Sequence, residues 1–174
     1  MRLRIRLLLM FIESLFAPKK KSILDKTEMS LRVLPNDVDI KYMTNDRYLS
    51  IMDIGRIHFA FSITSLPFLI KKKWIPVATG VYMQYRFPLK IFQKYNLHTR
   101  IVWWDKRHFY LTQKFERNGK VVATGIVIAT WMSKNKLLPS DEILTALKQN
   151  NEPPEEPQYI MELKNIHPDH KVHD

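Results

Sequence analysis

Two carboxylates stand directly before a segment whose residues favour the start of a helix. Asp37 and Asp39 lie in a polar stretch, and Thr44, Asn45 and Asp46 follow, each with a side-chain oxygen that can cap a helix N-terminus. The free amides of a first helical turn stabilise an anion or a carbonyl oxygen that gains negative charge. The spacing therefore suits chemistry at a carbonyl. It also suits a purely local role, in which the two aspartates close a turn and Asn45 only caps the helix.

The helix that must position these groups runs from Arg47 to about Leu66, because no proline interrupts the chain before Pro67. Its apolar residues fall on most of its faces: Tyr48, Leu49, Ile51, Met52, Ile54, Ile57, Phe59, Ala60, Phe61 and Ile63. A helix that is apolar on most sides is a buried helix. We therefore expect a core helix whose N-terminus opens onto the acidic loop.

Strand patterns lie on both sides of this helix. One half-buried strand is expected at residues 27–35, where apolar and polar residues alternate. A short helix is expected at 65–73, and four more strands at residues 75–87, 97–105, 108–116 and 121–131. Asn118-Gly119 predicts a type I′ turn between the last two strands, and Gly125 marks a bulge or a point of close approach. A last helix is expected at 141–149.

One strand, a long buried helix and a run of antiparallel strands form an order that resembles the hotdog fold. The motif from Asp37 and Asp39 through Met43 and Asn45 to Arg47-Tyr48-Leu49 resembles the signature of acyl-CoA thioesterase-like hotdog proteins of the 4-hydroxybenzoyl-CoA thioesterase type. Members typically carry Asp-x-Asp, a short spacer and His-Met-Asn-Asn-x-Arg-Tyr-Leu. Further matching positions are Phe87-Pro88-Leu89, Thr99-Arg100, Trp104-Asp105, Phe109-Tyr110-Leu111, Phe115 and Ala123. The resemblance covers residues 27–133 and implies an α+β hotdog fold, an antiparallel sheet wrapped around a long central helix.

The resemblance also implies an activity, the hydrolysis of an acyl thioester on coenzyme A or on an acyl carrier protein. Asp39 is then the general base or nucleophile, Asn45 orients water or the carbonyl, and Tyr42 donates a hydrogen bond. The neighbouring motif positions are expected to bind substrate: Thr44, Arg47 and Tyr48. Arg47 and Arg56 also fit internal ion pairs, and Trp104-Asp105 fits a structural turn.

Three departures from the family pattern keep other functions open. Tyr42 stands where the family usually has His, Thr44 replaces the first Asn, and the spacer after Asp39 is one residue short. A non-catalytic acyl or acyl-CoA binding protein, membrane-associated in one interpretation, is therefore the alternative to an enzyme. A hotdog dehydratase is a weaker third reading, because the Asp/His pair that such enzymes carry is not visible in the sequence.

The composition restricts sites and partners. The chain has 174 residues and no cysteine, which excludes disulfides and thiol catalysis, and its six histidines lack helical metal-ligand spacing, so we expect no metal. The net charge of +11 suits either a solvated basic surface or the phosphates of coenzyme A, with cationic candidates at Lys71, Lys72, Lys73, Arg100, Lys106 and Arg107. The Lys and Arg residues form no recognised nucleic-acid motif, so no nucleic acid is expected.

The resemblance implies a role in fatty acid metabolism. It implies no cofactor other than the coenzyme A of the substrate. The same resemblance implies a homodimer, or a dimer of dimers, joined at the sheet edges with the acyl site at the subunit interface. A hotdog domain is expected at residues 27–150.

The two ends of the chain differ in charge and pattern. Residues 1–26 carry an excess of basic residues, and an amphipathic helix with alternating apolar and cationic residues is predicted there. Its apolar run is too short to span a bilayer, which takes about 20 residues. A signal peptide, an interfacial helix formed by residues 1–17 and a helix packed on the body all fit. We expect a cytoplasmic location, with peripheral membrane contact as the second interpretation, and a flexible, acidic, proline-containing tail at 151–174.

Overall fold

The computed structural model describes Lys20, residues 22–134 and residues 136–166. Residues 1–19 and 21 of the predicted N-terminal helix and the last eight residues of the predicted tail lie outside these ranges. Residues 22–26, which were predicted to end that helix, form a turn instead. The strands are β1 (Thr27–Arg32), β2 (Val38–Asp39), β3 (Tyr42–Met43), β4 (Trp74–Tyr85), β5 (Lys94–Trp104), β6 (Phe109–Arg117), β7 (Lys120–Ser133) and β8 (Lys136–Leu138). The α-helices are α1 (Asn45–Ile63), α2 (Leu66–Lys72), α3 (Ser140–Ala146) and α4 (Gln158–Ile166), and a 3-10 turn covers Pro35–Asp37.

The strands form one antiparallel sheet and a separate small ribbon. The order in the sheet is β1-β5-β6-β7-β4, with β8 paired to β7, while β2 and β3 pair with each other outside this sheet. The β6–β7 hairpin turns at Asn118 and Gly119, whose φ angles of 51° and 73° fit the predicted type I′ turn. Strand β4 therefore forms one edge of the sheet, and β1 forms the other.

Helix α1 lies against one face of this sheet, and two glycines allow the close approach. A Cβ atom added to Gly55 of the helix would lie 2.6 Å from Leu97 Cδ2 on β5. A Cβ atom on Gly125 of β7 would collide with Met52 of the helix, which confirms the close approach predicted at this glycine. A curled antiparallel sheet around a long buried helix is the α+β hotdog fold, so that prediction is confirmed.

A buried polar network fixes the position of the helix on the sheet. The Gln113 side chain, fully buried on β6, donates from Nε2 to the Met52 carbonyl oxygen and to Thr99 Oγ1, both at 3.0 Å. Its Oε1 accepts from Arg56 Nη1 at 2.9 Å, and Arg56 also pairs with Asp53. Burial lowers the pKa of Arg56, and the Asp53 carboxylate opposes that effect. The internal ion pair suggested for Arg56 is therefore present.

Helix α4 corrects the expectation of a flexible tail for residues 158–166. Its Ile160 and Leu163 are buried against Val102, Tyr110 and Ile128, on the face of the sheet opposite α1. Lys164 bonds Glu156 at 2.8 Å and lies 4.5 Å from the ring centroid of Trp103. The prolines and glutamates that precede α4 concealed this short apolar stripe in the sequence. None of the described helices has the length and apolar character needed to cross a membrane.

Candidate functional site

The small ribbon of β2 and β3 is tied to the body by main-chain hydrogen bonds. Met43 N donates to Leu89 O at 2.8 Å, and Thr44 N donates to Asp37 O at 3.0 Å. The carboxylate of Asp37 is buried and accepts from Leu34 N at 2.8 Å, within the 3-10 turn. Asp37 is therefore a turn residue, as the local interpretation predicted, and it holds the ribbon at the start of α1.

Asp39 lies at the exposed end of this ribbon. It pairs across the strands with Tyr42, so the two side chains are neighbours, with Cβ atoms about 5 Å apart in such pairs. Ile40 follows in the left-handed conformation, with φ of 56°, and is fully exposed. In the part of the chain that the structure describes, no group donates a hydrogen bond to the Asp39 carboxylate. The carboxylate is therefore free to act on a water molecule or a ligand.

Thr44, and not Asn45, occupies the capping position of α1. Its carbonyl oxygen accepts from Arg47 N at 3.0 Å and from Tyr48 N at 3.3 Å, while its hydroxyl bonds the Asp46 carboxylate. This hydrogen bond and the Arg47 guanidinium, 3.6 Å away, lower the pKa of Asp46 against a smaller effect of burial. The exposed side chain of Asn45 is not used as a cap, so it remains available at the helix end.

Two of the predicted substrate-binding residues have other contacts. Tyr48 is buried, and its hydroxyl oxygen accepts from Leu89 N at 3.4 Å while its ring packs edge-on against Tyr85 and Phe115. Burial raises the pKa of Tyr48 despite that hydrogen bond. Arg47 is partly exposed and lies beside Asp46 in the first turn of α1. The structure thus places Tyr48 beneath the site, whereas Asp39, Tyr42 and Asn45 are exposed at the ribbon and the start of α1.

The contact between Tyr48 and Tyr85 also brings the site next to the open edge of the sheet. Tyr85 is the last residue of β4, and among the described strands β4 pairs only with β7. Large apolar side chains are exposed along and near this edge: Leu49, Ile75, Val81, Tyr82, Tyr85 and Phe87. The sequence does not reveal this edge, because the alternation of apolar and polar residues in a strand does not show which strands pair with it.

The motif Trp104-Asp105 is a structural turn between β5 and β6. Trp104 is buried, and the Asp105 carboxylate accepts from Arg107 N at 2.8 Å, His108 N at 2.7 Å and Tyr110 Oη at 3.1 Å. Burial would raise the pKa of Asp105, but hydrogen bonds from the His108 side chain and the two amides outweigh it and lower the pKa to about 2. The turn lies apart from the start of α1, so Trp104-Asp105 has the structural role suggested for it.

Comparison with known proteins identifies the family. The model of the thioesterase-like superfamily matches residues 33–161. Protein THEM6 of Drosophila melanogaster is 32% identical over 149 residues, which cover 84% of this chain and 74% of that protein. Gentisyl-coenzyme A thioesterase BH1999 has a TM-score of 0.60 at 23% identity, over 71% of this chain and 100% of that structure. The protein SAV2348 of Staphylococcus aureus, solved in complex with CoA, has a TM-score of 0.62 at 15% identity, over 82% and 96% of the two chains.

The fold agrees with this match, because a long helix lies inside a curled sheet and a free aspartate precedes the helix. The family model matches residues 33–161, and the chain belongs to the thioesterase-like superfamily.

Proposed function

We propose that this protein hydrolyses an acyl thioester, carried by coenzyme A or by an acyl carrier protein, to a free acid and a thiol. The observation that carries the proposal is the free carboxylate of Asp39, held on a fixed ribbon at the start of α1. Membership of the thioesterase-like superfamily supports the reaction type. The structural relatives named for a coenzyme A thioester or solved with CoA support the coenzyme A form of the substrate.

The chemistry follows from a carbonyl placed at the start of α1. Amides of the first helical turn stabilise the negative charge that develops on the carbonyl oxygen, which is commonly the largest contribution to catalysis of acyl transfer. Asp39 takes a proton from a water molecule as the water oxygen bonds the carbonyl carbon. The tetrahedral intermediate then expels the thiolate as the carbon–sulfur bond breaks, and the thiolate accepts the proton from Asp39.

Tyr42 and Asn45 have positioning roles in this proposal. The Tyr42 phenol, across the ribbon from Asp39, donates a hydrogen bond to the carboxylate or to the attacking water. The exposed amide group of Asn45 orients the same water or the carbonyl. Asp39 also fits direct attack on the carbonyl, in which its carboxylate displaces the thiolate and forms an anhydride. Water then cleaves the anhydride to the free acid and the Asp39 carboxylate, and the proton released goes to the thiolate. No cofactor beyond the coenzyme A of the substrate is needed for either route.

The exposed position of Asp39 argues that a second subunit completes the site. Thioester hydrolysis benefits when bulk water is excluded around the carbonyl. An unpaired strand that exposes apolar residues is a ready surface for strand pairing with another chain. We propose that β4 pairs with β4 of a second copy, which buries Val81 and Tyr82 and covers the start of α1 beside Tyr85. A two-fold dimer of this type has two equivalent sites.

The cellular setting belongs to the same proposal. We place the reaction in the cytoplasm and in fatty acid metabolism, and we assign residues 1–17 to peripheral contact with a membrane surface. The basic and apolar alternation of that segment supports the assignment.

A non-catalytic acyl-CoA binding protein is the second candidate. It is favoured by Tyr42 and Thr44, which replace the His and the first Asn usual in the family. A binding protein of this kind would retain the acyl site and the dimer but release no thiol.

Release of free thiol from a panel of acyl-CoAs distinguishes the two candidates. We expect turnover by the full chain and a loss of kcat of at least about 100-fold in Asp39→Asn, because the general base is removed. The matched control is Asp141→Asn, an exposed carboxylate in the first turn of α3, which should keep the parent rate. No thiol release from any member of the panel, or an Asp39→Asn variant as active as the parent, would exclude hydrolysis through this site.

A further inference from the structure

The face of the sheet opposite α1 carries a pocket of about 570 Å³ that has no part in the proposed hydrolysis. Side chains alternate along a strand, so His98 and Arg100 of β5 point away from Leu97 and Thr99, which face α1. Helix α4 covers the neighbouring part of this outer face and supplies Tyr159 as one wall. The volume lies in the range of small-molecule sites.

Four cationic side chains line this pocket: Lys26, Arg86, Arg100 and Lys114. The strand register explains their grouping, because Lys114 lies opposite His98 and Arg100 lies opposite Thr112, which makes Arg100 and Lys114 diagonal neighbours on one face. The backbones of such residues are about 7–8 Å apart. Their two side chains can therefore donate to one phosphate group placed between them.

One acidic side chain, Glu116, lines the pocket with these four cations. Its carboxylate lies 3.3 Å from His98 Nε2, and Glu28 lies 3.2 Å from His98 Nδ1 and accepts from Asn96 Nδ2 at 2.9 Å. Within the described residues, none of the four cations forms a salt bridge with a carboxylate. The lining therefore keeps an excess of positive charge, and an anionic ligand relieves the cost of grouping like charges.

The walls add surface for an organic group. Val121 and Ile126 of β7 form apolar parts of the lining, and the Tyr159 ring stands at the side. Arg100 and Tyr159 line the same space. Burial raises the pKa of the Tyr159 phenol, and the nearby Arg100 guanidinium partly opposes this. Charge on one side and an aromatic ring on the other suit a small organic phosphate better than a bare ion.

We propose that this outer-face pocket binds a small, soluble, phosphate-bearing molecule through Lys26, Arg86, Arg100 and Lys114. The ligand occupies a site across the sheet from the thioester site, and its binding does not depend on the hydrolysis proposed above.

Calorimetric titration of the full chain at low salt tests the proposal, with inorganic pyrophosphate and adenosine diphosphate as probes. We expect saturable binding of both probes, and a loss of affinity of at least about tenfold in the double variant Arg100→Gln/Lys114→Gln, since two charge-assisted contacts are removed. Both side chains are exposed, so the variant should fold as the parent does. The control double variant, Lys136→Gln/Lys148→Gln, removes two exposed cations elsewhere, and Asp39→Asn alters the thioester site; both should bind as the parent does.

Three results would overturn the proposal. The first is no binding of either probe by the parent chain. The second is an equal loss in the two double variants, which would show that only overall charge attracts the anion. The third is binding to vesicles of anionic phospholipid, lost in Arg100→Gln/Lys114→Gln, without binding of the soluble probes, which would assign the face to a membrane.

Discussion

Gln113 Nε2 donates a hydrogen bond to the main-chain oxygen of Met52 at 3.0 Å, so a sheet side chain bonds the backbone of the central helix. The same side chain bonds Thr99 and Arg56, which joins two strands and the helix in one network. Because all of these groups are shielded from water, each depends on the others for its hydrogen bonds. The network is therefore a single unit that sets where α1 lies along the sheet.

We expect Gln113→Ala to lower the free energy of unfolding by about 3 kcal/mol, because it removes the hydrogen-bond partner of the buried Thr99 hydroxyl and one partner of the Arg56 guanidinium, which keeps only its contact with Asp53. Urea unfolding followed by circular dichroism measures the change. The control Gln84→Ala removes an exposed glutamine on β4 and should shift the free energy by less than about 0.5 kcal/mol. Equal effects of the two substitutions would contradict a role for the network.

The edge strand gives a prediction about assembly. Val81 is 45% exposed on β4, and we expect Val81→Lys to prevent pairing of two β4 edges, because a lysine there would bury its charge in the interface. Sedimentation velocity should show a dimer for the parent and a single chain of 20.8 kDa for the variant, with a parallel loss of thiol release.

Leu137→Lys is the matched control for assembly. Leu137 is 49% exposed on β8, which is separated from β4 by β7, and its replacement should leave the dimer intact. A Val81→Lys variant that remains dimeric would show that another surface joins the subunits.

The fold was more predictable than the site. The motif before α1 and the Asn118-Gly119 turn each depend on local backbone preferences, so a single sequence reveals them. The ribbon of β2 and β3 has strands of only two residues, which are too short to show the alternation of a strand, so the sequence predicts a loop there. Tyr48 was assigned to the substrate from its place in a motif, but the direction of its side chain depends on how α1 packs. Exposure of Asp39 and of the β4 edge likewise follows from tertiary arrangement.

Asp105 gives a prediction about acid stability. Its pKa of about 2 in the folded protein lies below the ordinary value of 3.8, so its charge stabilises the fold above pH 4, and that contribution is lost as the pH falls from about 4 to about 2. We expect Asp105→Asn to lower the free energy of unfolding by about 2 kcal/mol at pH 7. The difference between variant and parent should shrink as the pH falls through this window, in unfolding curves recorded from pH 7 to pH 2. The control Asp141→Asn makes the same substitution at an exposed site, and an equal loss of stability there at pH 7 would contradict the role of Asp105.

Tyr42 gives a prediction about the donor beside Asp39. We expect Tyr42→Phe to lower kcat for thioester hydrolysis about tenfold with little change in KM, because the hydrogen bond to the carboxylate or water is lost. Tyr42→His restores a donor of the type usual in the family and should be at least as active as the parent. Steady-state thiol release from one acyl-CoA measures both variants. A Tyr42→Phe variant with the parent kcat would remove the phenol from the mechanism.

The packing of α4 limits how larger assemblies can form. Ile160 and Leu163 already occupy part of the outer face of the sheet, and that face would have to be bare for two sheets to stack directly against each other. Any assembly of two dimers through this face must therefore displace α4 or include it as a spacer between the sheets. Where α4 covers the outer face, two such sheets therefore cannot touch each other directly.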